Sequence, residues 1–157
     1  KNLDESSLIA SNFYINILGY LKDMTQSLKY ISVVSHKHVN NNHKKLTSTQ
    51  TNELKIIYDS FEILFNNIIE TFKKASFQEI GIIIEKKTDL INLVSDKINK
   101  QIGRTRADES SPKNTTLYFS LLIETKDLLN TTMSMLDEYY ISHDKSVDTK
   151  KVDLKDK

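Results

Sequence analysis

The stretch that decides the fold is Leu21 to Leu46, LKDMTQSLKYISVVSHKHVNNNHKKL. Leu21, Met24, Leu28 and Ile31 recur at spacings of three and four, so they share one face of a helix. The same face continues through Ser35, His38 and Asn42, so the apolar seam turns polar before the helix ends. Two readings follow: a helix that outruns its partners into solvent, or a polar layer at one end of a bundle.

Working outward, the seam extends back through Ile17 to Phe13 or Tyr14, which predicts a first helix from Leu8 to about Lys45. Gly19 lies inside it and costs about 1 kcal/mol relative to Ala, a cost offset where a neighbouring helix comes close. Thr47-Ser48-Thr49-Gln50 reads as a capping box opening a second helix, whose seam is Leu54, Ile57, Phe61, Leu64, Ile68 and Phe72. Ser76 and Glu79 read as another capping box. The third helix then buries Phe77, Ile80, Ile84, Ile91, Val94, Ile98 and Ile102. GRTRADESS, from Gly103 to Ser111, breaks the chain, and Pro112 with Ser111 as N-cap starts a fourth helix. Its face carries Leu117, Leu121, Leu128, Met135 and Tyr139. Residues 1–143 therefore read as one up-down-up-down antiparallel four-helix bundle, and residues 144–157 as a charged, disordered tail.

Composition agrees. Three glycines and one proline are too few for a β-rich fold, and 157 residues suffice for one core. Twenty-two basic residues against 21 acidic ones leave a net charge of +1, with no field to recruit nucleic acid. The absence of cysteine excludes disulfides and thiolate-held metal. No apolar run approaches the ~20 residues that span a bilayer. There is no glycine-rich phosphate loop, no G-x-S-x-G and no nucleophile with a matching base, so the chain does not read as an enzyme. It starts at Lys1 without Met, which suggests a piece of a longer protein.

Two groups of residues could carry chemistry. The bundle topology brings His36, His38, His43, Arg104, Arg106 and Lys113 to one end, where helix N-termini help bind phosphate or another anion. His38, Asn42, His43, Arg104 and Arg106 are the residues expected to bind such an anion or a partner. The alternative is a set of solvated helix ends, with cations favoured at C-termini by the helix dipole. Glu85 and Asp89, one turn apart, offer two carboxylates to a metal if another helix adds a third ligand; a solvated charged face is the alternative. Glu124 sits beside the apolar stripe of the fourth helix and needs a partner or a place at the rim.

Several segments resemble, in order, the PhoU-like cytosolic domain appended to bacterial phosphate permeases of the inorganic phosphate transporter and sodium/phosphate cotransporter types. They are Leu21-Lys22-Asp23-Met24, Ser27-Leu28 with Ile31, His38-Val39-Asn40-Asn41-Asn42-His43-Lys44, and Lys100-Gln101-Ile102. The Arg104-to-Arg106 break, Asn114, Tyr118-Phe119 and Glu124-Thr125-Lys126-Asp127-Leu128-Leu129 continue the likeness, which covers roughly residues 14–142. It implies a helical bundle that modulates phosphate uptake through protein–protein contact, on the cytoplasmic side of the inner membrane. Its implied partners are the membrane-embedded permease part of the same chain and a second copy of itself. PhoU-like proteins often bind divalent or ferric metal through E/D-x-x-x-D motifs. Glu85 and Asp89 match that pattern, while Glu124 to Asp127 has a shorter spacing. A free-standing metal- or anion-binding bundle and a structural dimerisation module are the alternatives.

Overall fold

A computed structural model describes residues 5–143. The expected tail and the first four residues lie outside the described residues. Within them the fold is all helix, with no strand. α1 runs Glu5–Asn40 and α2 runs Ser48–Lys74. A 3-10 turn at Phe77–Glu79 leads into α3, Ile80–Glu85, and α4, Lys87–Arg106; α5 is Pro112–His143. α3 and α4 together form the third rod, interrupted at Lys86, where the single long helix expected from the sequence is split.

The local signals explain most boundaries. Thr47 caps α2 in a full capping box: the Gln50 amide donates to Thr47 Oγ1 at 3.2 Å, and the Thr47 amide donates to Gln50 Oε1 at 3.0 Å. Ser111 caps α5 by accepting the Asn114 amide at 3.3 Å. α1 stops at Asn40, earlier than expected, because Asn42 takes the left-handed conformation at φ 52° and the His43 amide turns back to the His38 carbonyl. Ala75 ends α2 at φ 52°, and Asp108 closes the loop after α4 at φ 55°. Ser76 makes no side-chain cap bond, so the second expected capping box does not form. The chain there is a 3-10 turn, whose own backbone bonds serve instead.

Ring contacts fix the topology. Phe13 of α1, Phe72 of α2, Phe77 and Tyr139 of α5 meet at one end. The end of α1, the start of α2, the end of α4 and the start of α5 meet at the other, so successive rods run antiparallel. The core joins Ile57, Phe61, Leu64 and Ile68 of α2 to Ile80, Ile83 and Val94 of the third rod. Tyr118, Leu122, Leu129, Met133 and Leu136 of α5 complete it. α5 is the central rod, packed against α1, α3 and α4.

α1 departs from its expected packing. Ile17 is buried and Met24 packs on the core, but Leu21 and Leu28 remain 44% and 54% exposed. α1 packs chiefly along α5, so its buried stripe is narrower than the apolar spacing implied. Ile102, expected inside, is also on the surface, because Gln101 takes the inward position at that depth.

Candidate functional site

That end of the bundle does hold a built polar layer, but α2, α4 and α5 make it rather than Ser35, His38 and Asn42 of the α1 seam. Gln50, Glu53, Gln101, Ser110 and Asn114 are all buried there, although each is polar or charged. Such burial requires partners. Once its Oε1 has closed the capping box, the Gln50 Nε2 donates to Gln101 Oε1 at 3.0 Å and to Ser110 Oγ at 3.2 Å. Gln101 Oε1 also accepts from Arg104 Nε at 2.9 Å, while its Nε2 donates to Thr115 Oγ1 at 3.3 Å. Thr115 in turn donates to Ser110 at 3.1 Å. One network thus ties α2, α4 and α5 together.

Glu53 is its charged centre. Arg104 clamps the carboxylate with two bonds, Nη1 to Oε1 at 3.2 Å and Nη2 to Oε2 at 2.8 Å. The Tyr118 hydroxyl donates to Oε2 at 2.5 Å, and the Arg104 guanidinium lies 5.5 Å from the Tyr118 ring centroid. Burial pushes the Glu53 carboxyl up, but the bonds from Arg104 and Tyr118 and the charges of Arg104 and Lys97 outweigh it and hold it below the usual carboxylate range. The Glu53 bonds hold the Arg104 guanidinium above its ordinary value. Burial, then the bond to Glu53, pushes the Tyr118 phenol up.

The loop between α1 and α2 is pinned over this layer. His38 Nε2 donates to the Lys44 carbonyl at 2.9 Å, a bond that requires the proton on that nitrogen. Asn114 Nδ2 donates to the Lys45 carbonyl at 2.7 Å. Asn114 Oδ1 is buried without a protein partner. His43 lies against His38, with ring centroids 5.1 Å apart.

The residues expected to bind an anion are therefore only partly brought together. His38 and His43 meet, but His38 serves the loop backbone. Asn42 is an exposed turn residue, whose left-handed backbone accounts for it. The charge of Arg104 is answered by Glu53, which leaves it poorly suited to a free anion. Arg106, His36 and Lys113 are exposed. Glu85 and Asp89 are exposed on either side of the Lys86 break, and no group of three His, Asp or Glu able to hold a metal occurs among the described residues. Glu124 takes the place at the rim, bordering the α1–α5 groove with Asp23 and Asp127.

Sequence reasoning missed Glu53 and Ser110, and read Gln50 only as part of a capping box. A signal existed for the first: Glu53 and Ile57 are one turn apart on the core face of α2, so a carboxylate at that position required a cation from elsewhere. No described helix is long and apolar enough to cross a membrane. No family model, curated protein or solved structure matches the chain.

Proposed function

We propose that this chain is the PhoU-like regulatory domain of a membrane phosphate transporter, acting by protein–protein contact on the cytoplasmic face rather than by turnover. The observation that carries this reading is the meeting of polar residues from several of the segments that resemble that family. His38, Gln101, Arg104, Asn114 and Tyr118 are spread over eighty positions of sequence, yet all lie in the polar layer or in the loop pinned over it. A likeness due only to generic helical seams would fall on apolar stripes and have no reason to select these polar positions. The layer holds a bundle end in one shape, which suits a docking element.

The test is phosphate uptake by cells expressing the full gene product, intact or with Glu53→Gln/Arg104→Met in this domain, a pair of changes that strands no charge. The expected result is altered uptake at unchanged membrane abundance. A gene product without apolar spans, or uptake indifferent to loss of the whole domain, would overturn the reading. A free-standing metal- or anion-binding bundle is less favoured, since Arg104 is already paired and no three-ligand group is present among the described residues.

A further inference from the structure

α1 has a second face that stays largely exposed in the described bundle. At 100° per residue, Ile15, Val33, Gln26 and Tyr30 follow one another around the helix, with Leu8 and Gly19 on the same strip. Ile15 is 65% exposed and Tyr30 45%, on a helix whose opposite face is buried against α5. Gly19, in mid-strip, has nothing within 4 Å of where a Cβ would stand, so a second backbone can come close.

The two edges of this strip carry opposite charge. Lys22 and Lys29 line one side, in a trough shared with Leu18, Gln26, Tyr30 and Val33. Asp23 lines the other, where Glu124 and Asp127 of α5 join it in a groove of about 270 Å³. Gln26 and Tyr30 border both. Among the described residues, none of these five charges has an ion-pair partner.

We infer that this face pairs with the same face of a second copy, the two α1 helices running in the same direction. The orientation follows from symmetry. A twofold axis along the helices sets each basic edge against the partner's acidic edge, whereas antiparallel pairing sets Lys22 and Lys29 against themselves. Each copy then places Lys22 and Lys29 beside Asp23, Glu124 and Asp127 of the other. The exposed parts of Leu8, Ile15, Tyr30 and Val33 supply the apolar centre of the contact, and the lysine stems and the acidic groove widen it. The inference stands independently of the phosphate reading, because it uses only the bundle's surface.

Sedimentation of the whole chain at tens of micromolar tests it. The expected species is a dimer that dissociates as salt is raised. Lys22→Glu/Lys29→Glu alone and Glu124→Lys/Asp127→Lys alone should each sediment as monomer, with helical circular dichroism unchanged. An equimolar mixture of the two should recover the dimer, because one edge is then reversed on both sides and the other is native. A monomeric parent chain would assign the strip to some other partner and overturn the inference. So would charge-reversed variants that remain dimeric, or a mixture that fails to pair.

Discussion

Arg104→Met is the sharpest probe of the polar layer. It leaves Glu53 as a carboxylate with the Tyr118 hydroxyl as its one remaining close partner. The two side chains of the ion pair are 14% and 10% exposed, so the carboxylate is not freely rehydrated. Removing one partner of a buried pair costs about 3–5 kcal/mol. The pair lies at a bundle end, close to solvent, so the cost falls somewhat below that range, at about 2–3 kcal/mol. At ~2–4 °C per kcal/mol for a chain of this size, the melting temperature should fall by roughly 5–10 °C. The double variant Glu53→Gln/Arg104→Met strands no charge and should lie within ~1 kcal/mol of the parent. Urea unfolding of the parent, both single variants and the double variant gives the coupling directly. The sign with pH is also fixed. The folded carboxyl of Glu53 is held below its unfolded value, so its contribution is fully present above pH ~4.3 and is lost as pH falls through the folded value. The deficit of Arg104→Met should therefore be largest near neutrality and shrink below pH ~4. A deficit constant from pH 7 to pH 3, or a double variant as weak as Arg104→Met, would refute the reasoning.

Other expectations follow from the packing. Leu129→Ala, at a fully buried core position, should lose about 2–5 kcal/mol in urea unfolding, whereas Leu28→Ala, on the exposed side of α1, should stay within about 0.5 kcal/mol. Ala75→Gly should raise stability by ~0.5–1 kcal/mol, because Ala75 holds φ 52° at the end of α2, where glycine has no Cβ to strain. Asn114→Ala should speed amide exchange over residues 41–47 more than elsewhere, since it removes the bond to the Lys45 carbonyl; uniform speeding across the bundle would mean that the loop is not separately pinned.

What the residues showed on their own was the class of fold and most of its punctuation. Apolar spacing of three and four, with almost no glycine or proline, leaves helices as the only way to bury these side chains. The Thr47–Gln50 box and the Ser111–Pro112 start act through neighbours in sequence, so they were legible without tertiary contacts. The failed Ser76 cap has a different cause: the chain closes that turn through backbone bonds, and the motif does not reveal which closure prevails.

The polar layer lay beyond that reach. Glu53 is unremarkable in a chain so rich in charge, and Arg104, although singled out for an anion, takes its role from the partner that lies opposite. Glu53 and Arg104 are fifty-one positions apart and meet only because α2 and α4 are packed side by side. The same holds for α1, whose Leu21 and Leu28 fit an inward seam by spacing yet face outward. Periodicity states that a helix has an apolar face, but the number of neighbours decides how much of it is covered. Here α1 rests chiefly on α5, and that arrangement, a property of the assembled bundle, left its second face largely exposed.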